Sequence, residues 1–257
     1  MRNRPRLTGF VVFLLLAATL HLAATTWAGK EVKCPVCGTV NQFRTPMSFG
    51  GYIFLWPSKF QVIFWPHIDS NVLHSCKKCH FTAFMYDFPR VPEEKLGALR
   101  VTLSTVELEA SEDYARIPMT ARLAVAEKAY SVLERDDEFW CHFYRVVAYH
   151  SENEGKDDEA AAARRKALEL AQNMLREPGK QGRRKELLVI AAAMHHFLEE
   201  DDEALVRLRE AAGLKMQHPE MTEEQNENAD QYFSDLIREY IEKLEKGEPI
   251  PDSKPTH

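Results

Sequence analysis

The chain has no basic run longer than three residues, no second long apolar stretch, and little glycine. With 11 Gly in 257 residues, loops that cradle phosphate groups are scarce. Neither G-x-S-x-G, nor a dinucleotide fingerprint, nor H-E-x-x-H occurs, so the common nucleophilic, nucleotide and zinc-protease chemistries have no basis here. The formal net charge is −6, and an acidic chain without a basic cluster is poorly matched to a phosphate backbone. Nucleic acid is therefore not expected as a partner, and no catalytic residue is nominated.

What is present begins at the N-terminus. Arg2, Arg4 and Arg6 stand without a nearby acid, and Gly9 to Leu22 is apolar apart from Thr19 and His21. Thr26-Trp27-Ala28 then offers small residues at the −3 and −1 positions of a cleavage site, the pattern of a secretory signal peptide over residues 1–28. The apolar run falls short of the about 20 residues that span a bilayer comfortably. Export to a periplasmic or extracellular compartment is expected, with membrane contact only if the leader stays uncleaved as an anchor. Removing residues 1–28 takes three Arg and no acid, leaving 30 basic against 39 acidic residues, a net charge of −9.

Residues 29–92 and 93–246 differ in pattern. The first stretch holds four of the five Cys. It also contains two β-branched and aromatic runs, 52–56 and 60–65, separated by Pro57-Ser58-Lys59, which predict two short strands. This aromatic stretch reads as the core of the small module, or else as an exposed docking surface through Trp56, Phe60 and Trp65. From Pro118 the periodicity is helical. Leu123, Ala126, Tyr130 and Leu133 share one helix face, and Trp140, Phe143, Tyr144, Val147 and Ala148 share another. Further helices are expected at 157–176, 185–199, 202–214 and 223–246, and a disordered tail at 247–257. Residues 93–117 are ambiguous between helix and strand. Asp157-Asp158-Glu159-Ala160 recurs as Asp201-Asp202-Glu203-Ala204, and each copy is followed by a second Ala seven residues on, at Ala167 and Ala211. That step resembles the second helix of a tetratricopeptide repeat, with the excess over the usual period of about 34 residues assigned to loop 177–182.

The four cysteines carry the strongest signal. Cys34-Pro35-Val36-Cys37 and Cys76-Lys77-Lys78-Cys79 are two C-x-x-C pairs with 38 residues between them. Zinc takes four thiolates at tetrahedral corners, and each C-x-x-C turn supplies two. Gly38 suits a turn that points amides at sulfur. Cys34, Cys37, Cys76 and Cys79 are thus the candidate ligands of a structural Zn2+. Other readings stay open. In an oxidising compartment the four could form disulfides or thiol-redox pairs. Cys76-Lys-Lys-Cys-His80 also spells the C-x-x-C-H of c-type haem attachment, with Met85 or His74 as conceivable distal ligands. His80 could replace or supplement a thiolate. His67, Asp69 and His74 could form a second metal site, whereas His142, His150 and His195 read as ordinary helix residues. Cys141, between Trp140 and Phe143, reads as a small buried hydrophobe.

Cys34-Pro-Val-Cys-Gly-Thr-Val-Asn-Gln-Phe43, a segment containing Phe49-Gly50, and Cys76-Lys-Lys-Cys-His-Phe-Thr-Ala-Phe84 together resemble the bacterial uncharacterised-protein family named domain of unknown function 2225. The resemblance covers residues 33–88 well and 118–214 more loosely. It departs at His80, where that family commonly has Gly. It implies a four-cysteine zinc-ribbon-like module followed by tetratricopeptide-like helices, and it implies no activity. The fold class expected is α+β, a small zinc-ribbon-like β module with an all-α helical-hairpin body. The partner expected is a protein or peptide held in the helical groove.

Overall fold

A computed structural model describes residues 26–48, 59–108 and 111–250. The leader through residue 25, the strand expected at 52–56 and the last residues of the tail lie outside the described residues. Two antiparallel ribbons form the front of the molecule. In the first, β1 (Thr26–Lys33) pairs with β2 (Val40–Ser48), and in the second β3 (Leu73–Ser75) pairs with β4 (Thr82–Phe84). The period-two alternation of a half-buried strand is plain in β2: Asn41 and Phe43 are buried while Gln42 and Arg44 are exposed. The position expected for leader cleavage falls within β1. A cut after Ala28 would remove Trp27, whose ring lies 6.2 Å from that of Trp65.

The strand expected at 60–65 does not form; the segment is a turn built into the helical body. Phe60, Gln61 and Ile63 are buried, and Phe60 stacks on Tyr240 at 4.0 Å, which rules out its exposure as a docking residue. The physical reason lies on a helix far along the chain. Arg145 donates from Nη1 to the carbonyls of Gln61 at 2.7 Å and Val62 at 3.0 Å, taking acceptors that a strand ladder would use. Val62 turns the chain at φ 55°, a left-handed conformation that a β-branched residue adopts only under strong tertiary constraint.

Seven helices follow among the described residues. The ambiguous region resolves into α1 (Leu96–Leu103) flanked by short 3-10 turns. Then come α2 (Met119–Leu133), α3 (Asp137–Asn153), α4 (Asp157–Arg176), α5 (Arg184–His196), α6 (Asp201–Ala212) and α7 (Glu223–Lys246). In α2 the expected stripe of Leu123, Ala126 and Tyr130 is buried. The recurring Asp-Asp-Glu-Ala has a structural counterpart. It opens α4 and α6, the second helices of two consecutive antiparallel hairpins. Each copy is preceded two residues earlier by a left-handed residue, Gly155 at φ 70° and Glu199 at φ 64°. Ala160, Ala167, Ala204 and Ala211 are all fully buried, since only a methyl fits where the paired helices approach. Helix α7 opens with a reciprocal Thr222–Gln225 capping box and ends at left-handed Gly247. Of the expected tail, Ile250 packs on the core formed by α4 to α7.

Two cores hold the molecule, and neither respects a boundary at residue 92. One joins Cys34, Phe43, Phe81 and Phe88 of the ribbons with Leu99, Leu123, Tyr130 and Phe143 of α1 to α3. The other joins Phe60 and Val62 to α4 through α7. Arg122 pins the ribbons to α2. It is fully buried and donates to the carbonyls of Ile117 at 3.1 Å, Ser70 at 2.8 Å and Leu73 at 2.7 Å. Replacing it with Met should lower the unfolding free energy by about 3 kcal/mol, because three buried carbonyls lose their donor; denaturant titration reads this, and a loss under about 1 kcal/mol would contradict it. Burial also holds His67 and His150 neutral, each with its pKa lowered to about 4, and His150 Nε2 lies 2.8 Å from the carbonyl of His67. The unfolded chain binds protons that these folded histidines refuse. Their contribution is therefore intact above about pH 6.5 and is lost as pH falls toward 4. The slope of stability against pH in that window should flatten in His67→Gln or His150→Gln; an unchanged slope would refute the assignment.

Candidate metal centre

Two turns of the same design present the cysteines. In the first, the Cys34 amide donates to the Thr39 carbonyl at 2.8 Å, and the Gly38 amide donates back to the Cys34 carbonyl at 2.9 Å. In the second, the Cys76 amide donates to the Phe81 carbonyl at 2.9 Å, and the His80 amide to the Cys76 carbonyl at 3.0 Å. The residue after the second cysteine is left-handed in both, Gly38 at φ 77° and His80 at φ 60°. His80 is thus the structural equivalent of Gly38. Its position in the chain is explained by the turn, at the cost of a conformation that glycine adopts more readily.

The turns face each other and bring the four sulfurs together. Sγ of Cys34 lies 3.6 Å from that of Cys79, and Sγ of Cys37 lies 3.6 Å from that of Cys76. All four lie within 4.8 Å of one another. Four thiolates at Zn–S distances of about 2.3 Å would stand about 3.8 Å apart at tetrahedral corners. The thiols are free, and these separations are far beyond the about 2.05 Å of a disulfide. Cys34 and Cys76 are buried, while Cys37 and Cys79 are partly exposed. The geometry and the donor set fit a metal ion, and among the described residues this is the one group of three or more such side chains that could hold one.

The electrostatics match that description. Hydrogen bonding from Cys34 and Cys79 pulls the Cys76 thiol far down. The contact with Cys76 in turn pushes Cys34 up to about 12, and contacts with Cys34 and Cys76 together with burial push Cys79 far up. Packed thiols cannot all ionise against one another; a divalent cation reverses this by deprotonating its ligands.

Around the sulfurs sit residues that sequence reasoning missed. Buried Asn41 bridges the turns. Its Nδ2 donates to the Thr39 carbonyl at 3.0 Å and points at Cys76 Sγ from 3.7 Å, while its Oδ1 accepts from the Lys77 amide at 2.9 Å. Arg100 on α1 donates from Nε to the Val36 carbonyl at 3.0 Å, tying the first turn to the helix. The inward alternation of β2 was the available signal for Asn41; Arg100 had none, because its partner is a backbone carbonyl 64 positions away.

The other sequence candidates go elsewhere. His80 is not among the clustered ligands. His74 lies stacked on Phe43 at 4.1 Å with Nε2 3.1 Å from the Arg44 carbonyl, and burial lowers its pKa to about 4. Asp69 caps a 3-10 turn by accepting from the Asn71 amide, and His67 packs edge-on against Phe84 and His142. No second metal group assembles from His67, Asp69 and His74 among the described residues. Met85 is buried in the ribbon core. Cys141 is a buried thiol with its pKa raised by desolvation, consistent with a packing role. His195 and His196 engage Glu200 and Asp201 at 2.6 Å each, closing the α5–α6 turn.

The chain matches no protein-family model, no curated protein and no solved structure.

Gly38→Ala should cost about 1 kcal/mol of stability through the left-handed backbone, since the added methyl itself would meet only Lys33 Cε at 3.7 Å. His80→Gly should cost nothing beyond chain entropy. Asn41→Ala should weaken metal affinity about tenfold or more, read by competition with a chromophoric chelator. Equal tolerance of all three substitutions would refute the paired-turn description.

Proposed function

We propose that this is an exported, non-catalytic binding or scaffold protein whose front is organised by one structural zinc on Cys34, Cys37, Cys76 and Cys79. The observation that carries it is the convergence of four free thiols from two matching turns. Four thiolates complete a tetrahedral shell and leave no position for a substrate, which is the arrangement of structural rather than catalytic zinc. Asn41 and the inward amides of the turns would orient the ligands, and the ion would supply the counter-charge that four sulfurs need. The ribbons are small, and a structural zinc contributes on the order of 10 kcal/mol to folding.

Two features favour this reading over attached haem. Cys76 and Cys79 turn their sulfurs onto Cys34 and Cys37 rather than outward to a porphyrin, and the left-handed turn accounts for His80. The helical hairpins support the second half of the proposal. Consecutive pairs that stack through buried alanines present extended surfaces to a peptide or partner protein, as tetratricopeptide-like arrays do. Export rests on the pattern of residues 1–28.

Protein purified without chelator should carry about one zinc per chain by elemental analysis. Removing the metal should melt the ribbons, seen as exchange of the amides of Cys34, Gly38, Cys76 and His80, while α4 to α7 keep their protection. A metal-free preparation in which those amides stay protected would overturn the proposal, and a Soret band in the native spectrum would replace zinc with haem.

A further inference from the structure

A cleft of about 380 Å3 opens beside Cys37 and Cys79, on the side where the two sulfurs are partly exposed. Half-buried Val106 and the edges of buried Val36 and Leu103 form its apolar side, and Lys78, His80 and Arg100 stand around it. No carboxylate lines it. That is unusual in a chain this acidic, where ion pairs occupy most described cations; among the described residues neither Lys78 nor Arg100 makes one. Arg100 is exposed and spends only Nε on the Val36 carbonyl, so its two terminal nitrogens remain available as a fork of donors.

The charge of the whole chain points the same way. Residues 29–106 carry nine Lys and Arg against five Asp and Glu, net +4, whereas residues 107–257 carry 21 against 34, net −13. Three of those nine cations, Lys59, Lys77 and Lys95, pair with acids of the later stretch, whereas Lys78 and Arg100 at the cleft pair with none among the described residues. Two unpaired cations beside a cleft without a carboxylate favour an anionic group there.

We propose that this cleft is a binding site for a peptide segment in which a carboxylate adjoins a branched apolar side chain. Arg100 would grip the carboxylate through its paired terminal nitrogens, Lys78 would add a second cation, and Val36, Leu103 and Val106 would take the apolar group. The inference builds on the metal reading, because the two cysteine turns place Val36 and Lys78 on either side of the cleft. It goes further in naming the ligand chemistry and the surface that meets it.

The probe is N-acetyl-leucyl-glutamate, titrated into the zinc-assayed full chain and followed by 1H–15N spectra, with N-acetyl-leucyl-glutamine amide as the neutral control. Saturable shifts are expected at Val36, Lys78, His80 and Arg100 Nε, weakening as salt is raised and absent with the control. Arg100→Gln should weaken binding about tenfold. Because Arg100 also anchors the first turn, Lys78→Gln serves as the independent variant; its side chain is exposed, so it should leave zinc content unchanged and weaken binding about threefold. Equal shifts with the neutral control, shifts centred on the helices, or full affinity in both variants would overturn the proposal. No shifts from a chain that carries its zinc would overturn the cleft and leave the metal reading standing. Binding by a chain without zinc would do the reverse.

Discussion

Four thiols within 4.8 Å of one another impose a charge problem that the surrounding architecture is arranged to meet. Ionised sulfurs at that distance repel, and neutral ones give up the chemistry that makes cysteine a ligand. A divalent cation would resolve the conflict, and the protein supplies what a cation cannot. Each turn hides its first cysteine and exposes its second, each aims amides inward, and Asn41 locks one turn to the other. The left-handed residues Gly38 and His80 follow from the same requirement, since no other backbone returns the chain to its first cysteine in so few residues.

The front does not stand apart from the helices. Two buried arginines, Arg122 and Arg145, reach from α2 and α3 into the non-helical chain, and among the described residues neither pairs with a carboxylate. They donate instead to backbone carbonyls, satisfying acceptors in segments with no ladder of their own. This explains how residues 60–63 can be irregular and buried at once. It also explains why Val62 tolerates a left-handed backbone: the arginine holds the carbonyls on both sides of that turn. The ribbons and the helices are thereby linked through shared cores, with Phe60 and Val62 carrying the non-helical chain into the core of α4 to α7.

The helical body solves a different problem by simpler means. Alanines at equivalent positions of α4 and α6 let the hairpins close tightly, while Arg164 joins the hairpins by pairing with Glu152, donating to the Phe197 carbonyl and lying over the Phe197 ring at 4.8 Å. Acidic residues open both second helices, where negative charge suits the helix N-terminus and keeps the outer surface soluble.

What was legible from the residues alone is what depends on local spacing. The C-x-x-C pairs named all four clustered thiols, because the turn that presents two sulfurs is encoded within five residues. The 3.6-residue periodicity anticipated α4 and α7, since amphipathic stripes and end signals are local. The tertiary structure alone decided the fate of residues 60–65, whose β-branched and aromatic content reads as strand until Arg145, more than 80 positions later, takes their carbonyls. It alone paired segments 26–33 and 40–48 into a ribbon, set Asn41 between the two cysteine turns, and brought Arg100 to the Val36 carbonyl. Those contacts join parts of the chain that carry no mark of one another, and only the folded packing brings them within reach.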